Sequence, residues 1–219
     1  MVEYDKDAIV YPYITEYIRG EIPENTGILK EMEDYAVTNS IPILQPETAK
    51  LLTVLTTVLR PVRILEIGCA IGYSAILMAG NMAENGSITT VEWDTDMVEK
   101  ARENIEKSGL SDRIRVIHDD AKNLLPNLTG QYDMIFLDGP KAHYIYMLND
   151  CIRLLKKGGI LFADNIMYKG MVADEEHVIK RKITIVKRLR HFVSAQMKRT
   201  ELETVILPLG DGVTIAVKK

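Results

Sequence analysis

The feature that most constrains this chain is a change of rhythm at Val62. From there on, short apolar runs alternate with longer amphipathic ones. Four of the short runs close on an acid: Glu66, Glu92, Asp138 and Asp164. Strands that alternate with helices build a parallel sheet covered on both faces. In such sheets ligands bind beyond the carboxyl ends of the strands, near the point where strand order reverses. Four acids at four strand ends therefore mark a candidate site more specifically than any one acid does.

The expected strands of this region are Ile64–Ile67, Ile88–Glu92, Ile114–His118, Tyr132–Leu137 and Ile160–Ala163. The expected helices are Ser74–Ala83, Thr95–Ser108, a short one near Lys122–Leu128, Ala142–Lys156 stopped by Gly158-Gly159, and a long one from about Glu175 to Lys198. Glu203–Leu207 and Val213–Val217 flank the turn Gly210-Asp211-Gly212 and predict an antiparallel hairpin. Residues 1–60 have a different pattern: helices over Ala8–Ile18, Gly27–Thr38 and Gln45–Leu59, separated by Pro23 and Pro42, with Pro46 suited to a first turn. The predicted fold is α/β: a doubly wound, mostly parallel seven-stranded sheet with an antiparallel C-terminal hairpin and N-terminal helices. Residues 1–60 form a helical extension packed on a core of residues 61–219, one structural domain overall.

Composition narrows the function classes. Apolar residues are 47% of the 219, enough for a sizeable core, and a net charge of −4 argues against a general polyanion binder. Cys69 and Cys151 make no zinc-ligand spacing. Met1–Val10 is charged and has no apolar core of a signal peptide, and no apolar run is long enough to span a bilayer. No membrane association and a reducing cytoplasm are expected.

Glu66-Ile67-Gly68-Cys69-Ala70-Ile71-Gly72-Tyr73-Ser74 follows a strand and opens a helix. Its glycines permit a tight turn and close approach of a ligand to backbone. The spacing is G-x-x-x-G rather than the G-x-G-x-x-G that supports a pyrophosphate, which disfavours a dinucleotide. Glu92 closes the next strand, where a carboxylate can accept both hydroxyls of a ribose. Asp120-Ala121 follows the third strand, where an acid can accept from an adenine amino group. A glycine turn alone is as often structural as functional; the three features together favour a nucleoside.

Glu66–Ser74, Glu92, Asp120-Ala121, Asp138-Gly139-Pro140-Lys141 and Asp164-Asn165, as an ordered set, resemble the class I, cation-dependent O-methyltransferase family, which includes catechol and caffeoyl-CoA O-methyltransferases. The resemblance spans Ile41 to Lys219. Ile41-Pro42-Ile43-Leu44, Ala70–Ile76, Asp164–Ala173 and Pro208–Gly212 are most similar to the bacterial branch acting on tRNA, the tRNA 5-hydroxyuridine methyltransferases. The resemblance implies a Rossmann-like methyltransferase sheet, S-adenosylmethionine as donor, Mg²⁺ or Mn²⁺ as metal, and a homodimer. It further implies that Leu44 lies against the donor, that Ser74 contacts its amino-acid part, that Glu66, Gly68 and Tyr73 of the turn also belong to the donor site, that Glu92 holds the ribose, and that Asp120 and Ala121 line the adenine. Asp119 stands where the family often has glycine, and Asp120 is chosen by alignment with Ala121.

Asp138, Asp164 and Asn165 end two strands that this topology places side by side. Two carboxylates and an amide oxygen form a hard, all-oxygen half-shell, which suits Mg²⁺ or Mn²⁺ better than zinc. Taken singly, an aspartate at a strand end is as well explained as a cap or turn residue. Lys141, three residues after Asp138, resembles the family's general base; the alternative is that it balances the carboxylates. Asp138 also borders the donor. With the acceptor oxygen, methyl carbon and sulfur held in line, the chemistry is mostly positioning, aided by a metal that lowers the acceptor hydroxyl's pKa.

Lys180, Arg181, Lys182, Lys187, Arg188, Arg190, Lys198 and Arg199 form a run without an intervening acid. It is either a solvated helix face or a grip on phosphates, with Lys169, Arg181 and Lys182 the candidate contacts. A tRNA acceptor would be read as an anticodon-loop 5-hydroxyuridine flipped into the pocket. Its 5-hydroxyl and 4-oxygen mimic the two oxygens of a catechol. On residues alone, a small diol and an RNA stand even; the resemblance favours tRNA, with 5-methoxyuridine as product. Ser74 lacks the surroundings of a nucleophile elbow. His143 lies close to Lys141 in sequence and is weighed as an edge of the site, and Trp93 either stacks on adenine or packs. An NAD(P)-dependent oxidoreductase and a non-catalytic donor-binding module are the rival classes.

Overall fold

A computed structural model describes residues 9–219. Three helices come first: α1 (Pro12–Glu21), α2 (Gly27–Asn39) and α3 (Pro46–Leu59). Then β1 (Arg63–Ile67), α4 (Tyr73–Ala79), β2 (Ser87–Glu92), α5 (Thr95–Lys107), β3 (Ile114–His118), α6 (Ala121–Leu124), β4 (Tyr132–Leu137), α7 (Tyr144–Leu154) and β5 (Leu155–Ala163) alternate. The chain closes with α8 (Ile183–Lys198), β6 (Leu202–Leu207) and β7 (Val213–Lys218). The seven strands form one sheet in the order β3-β2-β1-β4-β5-β7-β6. The first five are parallel; β7 runs antiparallel to both β5 and β6. Strand order reverses between β1 and β4, which opens a crevice at their carboxyl ends.

The apolar residues that make these strands also make the core. Leu65, Ile67, Ile135 and Leu137 face a layer that includes Met147 of α7 and Leu189 and Phe192 of α8. Ile64, Met134, Phe136 and Phe162 face the other layer, with Ile76 of α4 and Ile105 of α5. Met32 and Ala36 of α2 and Leu52 of α3 are part of that second layer, so the N-terminal helices are built into the core rather than laid over it. Pro12 and Pro46 occupy first turns, where their missing N–H is not needed. The Asp94 carboxylate caps α5 by accepting from the Met97 N–H at 3.1 Å.

Several boundaries differ from expectation, each for a local reason. Helix α1 starts at Pro12 instead of Ala8, and Ala8 lies outside the described residues, as does most of Met1–Val10. Helix α4 ends at Ala79 rather than Ala83. The Lys122–Leu128 segment is a single turn of α6 followed by a 3₁₀ turn at Leu125–Asn127, because Pro126 cannot continue an α-helical ladder. Helix α7 begins after a 3₁₀ turn at Lys141–His143 and gives way to strand at Leu155, so Gly158-Gly159 sits inside β5. The β4–β5 register shifts between Tyr132 and Met134, leaving a bulge that Gly158 accommodates at φ +77°.

The largest difference is α8, which starts at Ile183 rather than near Glu175. Residues 175–177 turn instead: the Asp174 carboxylate accepts from the Glu176 N–H at 3.0 Å and pairs with His177 Nδ1 at 2.8 Å. Lys180–Lys182 is a 3₁₀ turn. A cationic first turn opposes the helix dipole, so that triplet is a poor start for an α-helix.

Candidate active site

Beyond the ends of β1, β2, β4 and β5 lies a cavity of about 630 Å³, the size of a small-molecule site. Leu44, Gly68, Tyr73, Ser74, Glu92, Asp120, Ala121, Asp138, Lys141, Asp164 and Asn165 all line it. Glu66, Lys169, Arg181 and Lys182 do not.

The turn after β1 sets the geometry. Gly68 has φ +88°, and a Cβ there would lie 2.7 Å from the Asp138 carbonyl oxygen and 2.8 Å from the Gly139 Cα. Only glycine lets the turn press against the end of β4, which brings the two ends of the site together. The Glu92 carboxylate braces the same turn. Its Oε2 accepts from the N–H groups of Cys69 (3.2 Å) and Ala70 (3.0 Å), and its Oε1 from those of Trp93 (2.9 Å) and Asp94 (3.1 Å). Four N–H donors match the carboxylate's acceptor capacity.

Ser74 is buried at the start of α4, and its hydroxyl donates to Glu66 Oε1 at 2.5 Å. Glu66 is fully buried behind the cavity wall, so it acts on the site through Ser74 and does not face a ligand directly. Burial pushes its carboxyl up to about 7, against the lowering effect of the Ser74 hydroxyl. Its Oε2 has no hydrogen-bond partner among the described residues. The Tyr73 hydroxyl donates to Glu33 Oε1 at 2.7 Å and accepts from Asn25 Nδ2 at 3.1 Å, which pins this wall to the N-terminal layer.

Asp119 and Asp120 both line the cavity. Asp120 caps α6, accepting from the Lys122 N–H at 3.0 Å and pairing with the Lys122 ammonium at 3.3 Å. Asp119 Oδ1 accepts from the Asp120 N–H at 2.7 Å. Trp93 is on the cavity rim at 65% exposure, so its indole is not core packing. His143 also borders the cavity; burial and the Lys122 ammonium hold its pKa below the usual value, against Asp120.

At the other end, Asp138 Oδ1 accepts from Lys141 Nζ at 2.5 Å. Asp164 is buried, and both desolvation and the Asp138 carboxylate push its carboxyl well above the ordinary range. Its Oδ1 takes the Asn165 N–H at 2.6 Å. Asn165 sits at φ +56°, a left-handed conformation that asparagine tolerates better than most residues. The donor set is two carboxylates crowded together and an amide beside them, all oxygen. It fits a hard divalent cation, which would relieve the repulsion.

Sequence reasoning missed Asp211 and Met147. Met147 borders the cavity from α7, but its apolar spacing there is that of core. Asp211, in the β6–β7 turn, holds the loop after Asn165: Oδ1 accepts from the Lys169 N–H at 2.6 Å, and its carbonyl from the Met167 N–H at 3.0 Å. Its negative charge also bears on Asp164. The Gly-Asp-Gly pattern signals a turn, and the resemblance over Pro208–Gly212 gives Asp211 no role of its own.

The basic run divides into two groups. Arg190 donates to the Met171 and Val172 carbonyls and pairs with Glu175, so it clamps the same loop from the other side. Arg188 stacks on Tyr146 and Arg199 pairs with Glu201. Lys182 lies over the Tyr168 ring at 5.7 Å. Lys180, Arg181, Lys187 and Lys198 are exposed and make no ion pair among the described residues.

Residues 21–219 match the O-methyltransferase family. The catechol O-methyltransferase of Niastella koreensis is 30% identical over 185 residues, covering 80% of this chain and 82% of that protein. The caffeoyl-CoA O-methyltransferase of Stellaria longipes is 27% identical, covering 97% of this chain and 87% of its own. Among solved structures, the SAH-bound Podospora anserina methyltransferase PaMTH1 superposes with a TM-score of 0.86 at 25% identity, over 94% of each chain.

Proposed function

The chain belongs to the O-methyltransferase family and is an S-adenosylmethionine-dependent O-methyltransferase; from that premise we propose that it methylates one hydroxyl of an acceptor carrying two adjacent oxygens, with a divalent cation held by Asp138, Asp164 and Asn165. The observation that carries this reading is the contact between Gly68 and the end of β4. It presses the turn after β1 against the strand that ends on Asp138, and Gly68, Asp138, Asp164 and Asn165 border one cavity.

The residues divide the work. The Gly68–Ala70 turn, Leu44 and Ser74 wall the donor compartment, and Glu92 holds the turn in shape. Asp138, Asp164 and Asn165 orient the acceptor's paired oxygens. A bound Mg²⁺ or Mn²⁺ supplies Lewis acidity that lowers the acceptor hydroxyl's pKa. The acceptor oxygen attacks the sulfonium methyl: the O–CH₃ bond forms, the S–CH₃ bond breaks, and S-adenosylhomocysteine leaves. The hydroxyl proton passes to the neutral amine form of Lys141, whose nitrogen lies at Asp138. With a cation held there, the negative charge of Asp138 that now pairs with Lys141 would be offset, which would favour the neutral amine that a proton acceptor must be.

A small catechol-like or phenolic acceptor is the first choice, because the catechol and caffeoyl-CoA relatives align over most of the chain. The second reading is the 5-hydroxyl of 5-hydroxyuridine in tRNA. Its support is the set Lys180, Arg181, Lys187 and Lys198, exposed without ion pairs near the start and along the length of α8. Methyl transfer from labelled S-adenosylmethionine to catechol, caffeoyl-CoA and tRNA from cells lacking this gene, each with Mg²⁺ and with chelator, separates the readings. Metal-dependent label in a catechol supports the first. Label recovered as 5-methoxyuridine, weakened steeply by salt, supports the second. Transfer unaffected by chelator sinks the metal role. A homodimer belongs to the same proposal, and light scattering tests it.

A further inference from the structure

The ends of β4 and β5 are joined by a side chain that the proposed chemistry does not use. Tyr144 is the first residue of α7 and is wholly buried. Its hydroxyl lies 3.0 Å from the Leu137 carbonyl oxygen and 3.1 Å from the Asp164 carbonyl oxygen. Leu137 immediately precedes Asp138, and its carbonyl also accepts the Asp164 N–H at 3.0 Å. One phenolic proton is thus shared between the main chains of the two strands that deliver the carboxylates, at the point where their ladder closes.

The ring is fixed as well. It meets Phe192 of α8 edge-on, with centroids 5.3 Å apart, and Lys141 Nζ lies 5.8 Å from its centroid. Burial keeps the phenol protonated, so it acts only as a donor to these carbonyls. A carboxylate on a strand end goes where its backbone goes. Groups that orient ligands without touching the metal commonly change metal affinity or activity by about 10–100-fold.

We infer that Tyr144 is a positioning residue: its hydroxyl fixes the spacing of the Asp138 and Asp164 main chains and so sets how well the two carboxylates receive a divalent cation. This rests on the metal reading of the site. Tyr144→Phe removes the shared proton and keeps the ring. Phe192→Leu loosens the ring's packing and keeps the proton.

The experiment is Mn²⁺ binding to the full chain, followed by electron paramagnetic resonance, with S-adenosylhomocysteine affinity measured in parallel by calorimetry. Tyr144→Phe is expected to weaken Mn²⁺ roughly tenfold and to leave S-adenosylhomocysteine affinity within about twofold. Phe192→Leu is expected to lower Tm while Mn²⁺ affinity stays at the wild-type value. Wild-type Mn²⁺ affinity in Tyr144→Phe overturns the inference alone, and so does an equal loss in Phe192→Leu, which assigns the effect to packing. No Mn²⁺ binding by the wild type overturns the metal reading and takes this inference with it.

Discussion

Glu92 and Asp164 are both buried acids at strand ends, and they are in opposite condition. The Glu92 carboxylate has four backbone N–H donors, two on each oxygen. The Asp164 carboxylate has one N–H donor, a neighbouring carboxylate that repels it, and a backbone neighbour in a left-handed conformation. The Glu92 carboxylate is bonded on both oxygens within the protein; the Asp164 carboxylate is bonded on one. Preorganised groups serve a ligand whose shape never varies, whereas a buried carboxylate beside a second one leaves a charge imbalance that Lys141, paired with Asp138, only partly offsets. One cavity joins a rigid socket to an electrostatically unfinished one.

The sharpest way to break this contrast is Asp164→Ala. Turnover is expected to fall roughly 10³-fold, the upper range for loss of a group that stabilises transition-state charge. S-adenosylhomocysteine affinity by calorimetry should move less than twofold. An equal loss at both ends would mean that they are not separable. Lys141→Met comes next. A general base contributes at least about 10²-fold, so kcat should drop by that order and lose the acidic limb of its pH profile. If the limb survives and only Mn²⁺ affinity changes, Lys141 is a charge balance.

Glu66 sharpens the comparison from behind the donor wall, because its carboxyl is buried with one oxygen unpartnered. Its pKa stands at about 7 against an ordinary 4.5. Below pH 4.5 both folded and unfolded chains hold the proton, and Glu66 contributes no pH dependence. Between the two values the unfolded chain ionises first, so the folded state loses stability as pH rises, by about 3 kcal/mol in total. Above 7 the penalty is constant. Glu66→Gln should therefore gain on the wild type by that amount between pH 4.5 and 8 in urea unfolding, and parallel curves would remove the burial argument. The smallest effect is expected from Glu92→Gln. An amide presents one acceptor oxygen and an NH₂ to four N–H donors, which costs about 1–3 kcal/mol of stability. The same denaturant titration at pH 7, read beside donor affinity, checks it.

Much of this site was legible because a parallel sheet leaves the sequence few options. An apolar run that ends on Glu92, Asp138 or Asp164 must place that acid at the carboxyl end of a strand, and that is where ligands go. The direction of a side chain near a strand end was not legible. Glu66 precedes Ile67 and Gly68, and nothing in its spacing said that it would point inward to Ser74. Periodicity also misled where apolar residues continued through a turn. Val178 and Ile179 extend the α8 rhythm, but Asp174 bonds locally and the chain turns instead. Asp211 and Tyr144 were hidden for a third reason: a Gly-Asp-Gly turn and an aromatic residue in an apolar helix are satisfied by ordinary structural roles, and only three-dimensional neighbours reveal more.

The loop that follows Asn165 is fastened by strands made after it. Ile166 and Met167 donate to Gly212 and Asp211, the Lys169 N–H is taken by the Asp211 carboxylate, and a Cβ on Gly212 would strike the Met167 side chain at 2.3 Å. Strand β7, which follows that turn, inserts between β5 and β6. The loop that shapes the end of β5 therefore draws its anchors from the β6–β7 turn and from Arg190 of α8, so its geometry depends on segments far along the sequence from Asn165.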